Sequence, residues 1–246
     1  NASSRDVGTQ IQAKGDIQLQ SGANTQIKAA TLNSETGNVV IDAGQNVLIE
    51  NGRDERTSKL AAQEKGGFSK TEKQIQSNTS QSLATNIQAG GNVLINSQQG
   101  DIQATHLIAE AQESIQISAN KGNVKLLSDI DTDMKSKVSE KKNSVQFSNS
   151  QSGYIDEEVA QTQLKAGKNV DINAGKNIEL QANDIQANDN IYIGNTQFER
   201  QSDGSLTSKD GNALPENVSL TTLETNDQQW DETQKGYRGI AKDLIK

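Results

Sequence analysis

A short unit that repeats along the chain constrains its fold more than any other feature. Each unit is a small corner, often Ala-Gly or Gly-Asn, followed by a run in which apolar and polar residues alternate. Alternation with a period of two predicts β-strands that have one apolar and one polar face. Glycines occupy the corners of eight of these units: Gly15, Gly37, Gly44, Gly91, Gly100, Gly122, Gly167 and Gly175.

The spacing of the corners predicts a coil. Gly15 and Gly37 are 22 residues apart, whereas Gly167 and Gly175 are eight apart. A turn of this size holds two or three strands, which is typical of a solenoid. We therefore predict an all-β fold, a right-handed parallel β-helix over residues 1–193. It would be elongated, with about seven turns that each rise about 4.8 Å.

Two further predictions concern the residues at the corners. Glycine and asparagine accept the left-handed or otherwise rare backbone angles that tight bends require. Asparagine and glutamine side chains that stack between turns can form hydrogen-bonded ladders. The competing fold, an antiparallel sandwich, needs two-residue hairpin turns between longer strands. Single small corners and short runs favour the coil instead.

The composition fits a narrow core. Hydrophobic residues make up 31% of the 246 residues, aromatic residues 3%, and the net charge is -8. An acidic chain is a poor partner for nucleic acid, and we expect none.

The chain lacks cysteine, and no apolar run reaches the ~18 residues needed to span a bilayer. We interpret it as a piece of a longer exported protein.

Two polar segments interrupt the repeat, at about 51–86 and 128–163. They are rich in Ser, Gln, Lys and Glu, and each separates one strand from the next corner. The glycine-to-glycine gaps across them are similar, 46 residues from Gly44 to Gly90 and 45 from Gly122 to Gly167. Because long loops without structure are uncommon, we predict two long hairpins that leave the coil and pair with each other.

The last segment, residues 194–246, departs from the repeat. We expect it to be irregular and partly helical. The helical part is predicted from the spacing of Trp230, Tyr237, Ile240, Ala241 and Leu244. Two roles stay open for this tail: it covers the last coil, or it begins a following domain.

Candidate sites are few. The single histidine, His106, is predicted to be a solvent-facing strand residue. Asp129, Asp131 and Asp133 match the first, third and fifth positions of a calcium-binding loop, and Glu140 matches the twelfth. Met134 stands where that loop requires glycine, so a solvated strand end is the favoured interpretation. We expect no cofactor, no metal and no catalysis. A carbohydrate-active β-helix enzyme or polysaccharide-binding module is the alternative.

The runs at 43–49, 89–95 and 166–172 share an Ala-Gly-x-Asn-hydrophobic pattern. This pattern resembles the haemagglutinin repeats of two-partner-secretion exoproteins, which include filamentous haemagglutinin and the toxin-delivery proteins of contact-dependent growth inhibition. The resemblance implies a secreted protein at the bacterial surface, with a role in adhesion or toxin delivery. It implies three partners: an outer-membrane transporter, the surface or outer membrane of a target cell, and a C-terminal toxin domain in the parent chain.

Overall fold

The computed structural model describes residues 1–211 and 213–237, and every regular element in them is a β-strand. Three sheets, parallel except at one end, form the walls of a coil, and a fourth, antiparallel sheet stands beside it. This arrangement confirms the predicted all-β solenoid. The described residues form six coils of three strands, one coil fewer than expected.

The first wall contains β2 (Gln10–Ala13), β5 (Thr31–Ser34), β10 (Thr85–Ala89), β13 (Leu107–Ala111), β18 (Gln163–Ala166) and β21 (Asp184–Ala187). The second wall contains β3 (Ile17–Ser21), β6 (Val39–Ala43), β11 (Val93–Ser97), β14 (Ile115–Ala119), β19 (Val170–Ala174) and β22 (Ile191–Ile193). The third wall contains β4 (Thr25–Lys28), β7 (Val47–Glu50), β12 (Ile102–Thr105), β15 (Val124–Leu127), β20 (Ile178–Gln181) and β25 (Val218–Thr221).

The fourth sheet consists of β1 (Ala2–Arg5), β8 (Gly52–Gly66), β9 (Ser69–Leu83), β16 (Asp129–Asn143), β17 (Gln146–Ala160) and β26 (Gln228–Tyr237). Two further strands, β23 (Thr196–Arg200) and β24 (Leu206–Ser208), extend the second wall in antiparallel fashion. We call the fourth sheet the hairpin sheet, because β8 and β9 form one hairpin and β16 and β17 form another.

The core is a set of aligned apolar columns inside the coil. In the second wall Val39, Val93, Ile115 and Val170 stack in register, and all are fully buried. Alternate residues of these strands point inward and the rest point to solvent. Because a coil needs only one apolar face per strand, a small hydrophobic fraction is enough to fill it.

Side-chain ladders connect the coils, as predicted. At one corner Asn38 donates through its backbone N–H to Asp16 Oδ1 at 2.7 Å, and Asn92 donates to Asn38 Oδ1 at 2.8 Å. At the next corner Asn46 donates to Asn24 Oδ1 at 3.1 Å. Each side-chain oxygen thus accepts from a backbone amide of the neighbouring coil where the strand ladder stops.

The left-handed backbone that was one predicted reason for the corner glycines is not found. None of the eight has a left-handed backbone. Instead, a Cβ at Gly37 would lie 2.4 Å from Asp16 Oδ1, and one at Gly122 would lie 2.1 Å from the carbonyl oxygen of Gly100. Five further corners, at 44, 91, 100, 167 and 175, are similarly crowded, while nothing lies within 4 Å at Gly15. At the seven crowded corners glycine is required because a neighbouring coil occupies the space of a side chain.

The left-handed corners lie elsewhere, between the third and first walls. Ala29, His106 and Ala182 have φ values of 47°, 48° and 52° and close the first, third and fifth coils. The second and fourth coils have no such residue at this corner, because their chains leave there to form the two hairpins. The repeating structural unit is therefore two coils and one hairpin.

The hairpins pair with each other, as predicted, through twelve residue pairs between β9 and β16. Their first residues, Gly52 and Asp129, are 77 residues apart, and so are Val93 and Val170 in the coil. Two coils and the two strands of one hairpin both advance by about 9.6 Å, which is two strand spacings. The hairpin sheet therefore grows in step with the coil.

The predicted helix in the tail is wrong over the described residues. Trp230 and Tyr237 belong to β26, which pairs with β17; Ile240, Ala241 and Leu244 lie outside the described residues. An open edge of β17 offers ten backbone pairs, and these outweigh a weak helical pattern that contains Gly236. The last coil is covered by β23 and β24, whose Phe198 is only 2% exposed. The boundary at residue 193 stays a prediction.

Candidate interaction surface: the hairpin sheet and its roots

The hairpin sheet is a single layer. Beyond its first residues, the strand β8 is almost entirely exposed, and the side chains of β16 are half-buried or exposed throughout. No second sheet or helix of the described residues covers it. Both faces of the sheet are therefore accessible to a partner.

The outer parts of the two hairpins are basic. Residues 57–80 and 132–155 contain eight lysines and four carboxylates, a net charge of +4 in a chain of net charge -8. Lys135, Lys137 and Lys141 alternate along β16 and share one face, where all three are exposed. Their cross-strand neighbours include Ser152 and Ser148. The acidic surplus lies in the rest of the chain, which includes Asp129, Asp131 and residues 156–158 at the base of the second hairpin. The positive charge is therefore confined to the outer parts of the hairpins.

The tips of the hairpins expose apolar side chains. Phe68, in the turn between β8 and β9, is 89% exposed, and Val145, in the turn between β16 and β17, is 48% exposed. Lys65 and Lys70 flank the first turn and Lys142 lies close to the second. Each tip therefore presents one exposed apolar side chain flanked by lysines.

Aromatic rings over glycines connect β26 to the sheet. A Cβ on Gly153 would lie 2.4 Å from the Trp230 ring, and a Cβ on Gly236 would lie 2.5 Å from the Phe147 ring. The pairs Gly153–Trp230 and Phe147–Gly236 are directly opposed in register. Each glycine therefore leaves the space that the ring of the neighbouring strand occupies.

At its base the hairpin sheet meets the coil in a polar group of side chains, which we call the root cluster: Asn51, Arg53, Ser82, His106, Asp129 and Asp131. Asp129 accepts from Arg53 Nη2 and from Asn51 Nδ2, both at 2.6 Å. Asp131 accepts from the backbone N–H of Ser82 at 2.6 Å. The cluster thereby links the first hairpin to the second.

His106 is not the solvent-facing strand residue that the sequence predicted. It lies at a left-handed corner and is half-buried, and its Nδ1 is 2.7 Å from Ser82 Oγ. Burial lowers the pKa of His106, while the charges of Asp131 and Asp129 oppose that shift and Arg53 adds to it. The 77-residue spacing is a signal that could have shown this, since it aligns His106 with Ala29 at an equivalent corner.

The three candidate calcium residues are divided among different partners. Asp129 pairs with Arg53, Asp131 with Ser82, and Asp133 accepts from the Tyr154 hydroxyl at 3.1 Å. All three lie on an extended strand. Glu140, the twelfth position of the calcium-loop count, is on the same strand and therefore lies about 37 Å from Asp129. Over the described part of the chain, no three carboxylate, histidine or cysteine side chains are grouped so that they could hold a metal ion.

Ser82, His106 and Asp131 include the residue types of a hydrolytic triad but not its geometry. Asp131 binds the amide of Ser82 rather than the imidazole, and Ser82 is only 9% exposed. A triad needs an exposed nucleophile and a carboxylate that orients the histidine. The arrangement therefore joins segments of the chain and does not present a nucleophile.

Fold and surface together define a class: a parallel β-helix that projects one paired hairpin for every two coils. The profile of the hemagglutinin repeat family matches residues 1–67 and 65–156, and this chain belongs to that family. Membership places it in the repeat region of a filamentous haemagglutinin-like exoprotein and implies secretion to the cell surface. The family is structural or adhesive and non-catalytic.

No curated protein matches the chain, and no solved structure matches it either. Among the described residues there is no helix with the length and apolar character that a membrane crossing requires.

Proposed function

We propose that this chain is a shaft segment that holds the hairpin sheet out from a surface exoprotein for contact with a neighbouring cell, in adhesion or in contact-dependent toxin delivery. The observation that carries the proposal is the single-layered hairpin sheet, which the coil holds at fixed intervals with both faces in solvent. A scaffold that presents accessible elements in a fixed register is suited to recognition.

The chemistry of the outer hairpins supports a contact role. Their net charge is +4, and their tips expose Phe68 and Val145. Bacterial surfaces carry many anionic groups, so a basic surface favours approach by long-range attraction. In this proposal the partner is the surface or outer membrane of the target cell. The transporter and a C-terminal toxin domain are partners of the parent chain.

A binding assay on whole bacteria with the purified chain tests the proposal. The register opposes Lys59 to Gln76 and Lys135 to Tyr154, so residues 59–76 and 135–154 can each be replaced by Asn-Gly while the sheet retains paired bases. We expect binding by the parent chain and its loss in the shortened variant, with unchanged strand content in the coil. Equal binding by both proteins would contradict the proposal. Release of sugars from polysaccharides would instead favour the carbohydrate-active alternative.

A further inference from the structure

One face of the hairpin sheet, which we call the lysine face, carries Lys135, Lys137 and Lys141 and continues onto β26. Ser148 of β17 is directly opposite Lys141 on one side and Lys235 of β26 on the other. Directly opposed residues of a sheet point to the same face. Lys141, Ser148 and Lys235 therefore form one row across three strands, in which a serine lies between two lysines.

The lysine face has a surplus of positive charge near the hairpin tips. The four rows from Lys135 to Lys141 contain five lysines and two carboxylates: Lys73, Lys135, Lys137, Lys141, Lys235, Glu64 and Asp231. Glu64 is 4.0 Å from Lys73, and Asp231 is four residues from Lys235 along β26, which places it about 14 Å away. Lys141 and Lys235 are both exposed, and neither forms an ion pair with a carboxylate of the described residues.

A cavity of about 420 Å³ lies at the row of Lys141, Ser148 and Lys235. Its walls also include Asn143 and Gln146, on either side of the turn between β16 and β17. Asn143 Oδ1 accepts from the backbone N–H of Gln146 at 2.6 Å, which leaves its Nδ2 group as a donor. The volume is in the range of small-molecule sites. The cavity therefore combines two ammonium groups with neutral hydrogen-bonding groups.

These groups match a phosphate ester better than other anions. A phosphate monoester carries a charge of about -1.5 to -2 and several strong acceptor oxygens, whereas a carboxylate carries only one charge. The backbones of Lys141 and Lys235 are about 9.6 Å apart, since two strand spacings separate them. Both ammonium groups can therefore approach one phosphate above Ser148. The side-chain amides of Asn143 and Gln146 can donate to and accept from sugar hydroxyls.

We propose that this cavity binds a phosphorylated saccharide, with the phosphate between Lys141 and Lys235 and the sugar hydroxyls against Asn143 and Gln146. The inference rests on the proposed function and names the ligand class for the same surface: a phosphate-bearing glycan of the target cell. Charge-assisted hydrogen bonds from lysine to phosphate supply most of the affinity. The neutral groups select a sugar phosphate over free phosphate.

Titration of the parent chain with glucose 6-phosphate tests the site, followed by the backbone amide NMR signals of residues 141–148 and 233–236. We expect saturable shifts in these residues, weaker binding of inorganic phosphate, and no shifts with glucose at the same concentrations. The absence of saturable shifts with glucose 6-phosphate would overturn the proposal. Binding of inorganic phosphate that is as tight, or binding of phosphatidylglycerol vesicles alone, would overturn the assignment to a saccharide.

Variants at the two lysines locate the site. We expect Lys141→Gln and Lys235→Gln each to weaken glucose 6-phosphate binding about tenfold, through loss of one charge-assisted hydrogen bond. Lys142→Gln is the matched control, because Lys142 lies on the opposite face and is paired with Glu140 at 2.6 Å. It should bind as the parent chain does. An equal loss in all three variants would indicate a general effect of charge and contradict a specific site.

The assay on whole bacteria separates this site from the contact role of the hairpin sheet. A chain with both Lys141→Gln and Lys235→Gln retains the two hairpins, and we expect it to bind cells more weakly than the parent chain. If it binds cells as well as the parent while the shortened variant does not, the contact role stands and the saccharide site is overturned. If the parent binds glucose 6-phosphate but not cells, the site stands and the proposed function fails.

Discussion

At the residue scale, one threonine in each repeating unit bonds the backbone groups that lack strand partners where a hairpin leaves the coil. Thr162 is fully buried, donates to the carbonyl oxygen of Leu127 at 2.7 Å and accepts from the N–H of Leu107 at 3.0 Å. Thr85, which is 77 residues earlier, makes the same two bonds to Glu50 and Ala30, at 2.9 and 3.3 Å. Each hydroxyl satisfies two backbone groups where no strand is available.

Thr162→Val keeps the shape of this side chain and removes the hydroxyl. The buried N–H of Leu107 and the carbonyl oxygen of Leu127 lose their partner, so we expect a loss of about 1–3 kcal/mol in the free energy of unfolding. Urea unfolding followed by circular dichroism measures it. Thr221→Val, at an exposed position, is the control and should change stability by less than about 0.5 kcal/mol. Equal effects at the two sites would contradict the bridging role.

A second residue-scale prediction uses two glycines at the same corner of adjacent coils. Gly37→Ala places a methyl group 2.4 Å from Asp16 Oδ1, whereas Gly15→Ala meets nothing within 4 Å. Crowding of this kind costs about 1–3 kcal/mol. We expect only Gly37→Ala to lower the unfolding midpoint. Equal destabilisation by the two variants would show that backbone angles, not contact with the next coil, select glycine here.

At the element scale, the hairpins persist because they share one sheet. A lone two-stranded hairpin is at best marginally stable in water. Here β9 lies between β8 and β16, and β17 lies between β16 and β26, so each hairpin gains a neighbour. Two coils and the two strands of one hairpin advance by the same distance, so this pairing continues along the coil without distortion. The polar composition of the hairpins is therefore compatible with regular strands.

The contact of Trp230 with Gly153 gives an element-scale prediction. A methyl group at residue 153 would lie 2.4 Å from the indole and equally close to the carbonyl oxygen of Lys135. We expect Gly153→Ala to displace Trp230 from the sheet and shift its fluorescence emission to longer wavelength. The chain has one tryptophan, so the signal is unambiguous. Ser152→Ala, on the other face of β17, should leave the emission unchanged.

At the scale of the whole molecule, the hairpin sheet is longer than the coil is tall. Six coils rise by only about 29 Å, whereas a fifteen-residue strand of the hairpin sheet reaches about 51 Å. Strands lie across the direction in which coils stack, so the sheet projects sideways as a blade. The sequence predicted an elongated coil. The coil is shorter than predicted because the hairpins contain residues that would otherwise form further coils.

Small-angle scattering tests this shape. A compact chain of 246 residues has a radius of gyration of about 18 Å, and we expect a clearly larger value. The variant with shortened hairpins should fall towards the compact value, since its coil is unchanged. A parent chain that scatters as a compact sphere would contradict the arrangement of coil and blade.

Much of this protein was determined by its sequence alone. Alternation along runs such as 93–97 and 115–119 predicted the strands, because only one face of each can be buried. The 22-residue spacing of corners predicted the coil, and two polar segments of similar length predicted two hairpins. These features are local or periodic, and a periodic pattern can be seen without knowing which residues are in contact.

The tertiary structure alone decided the rest. It put Trp230 on a strand, because the open edge of β17 offered partners that no local pattern reveals. It placed His106 at a left-handed corner beside Ser82, Asn51 and Asp129, which are 24, 55 and 23 residues away along the chain. It also set the real reason for glycine at Gly37, which is the approach of another coil. Contacts between distant segments decide these outcomes, and they exist only once the coils have stacked and the hairpins have paired.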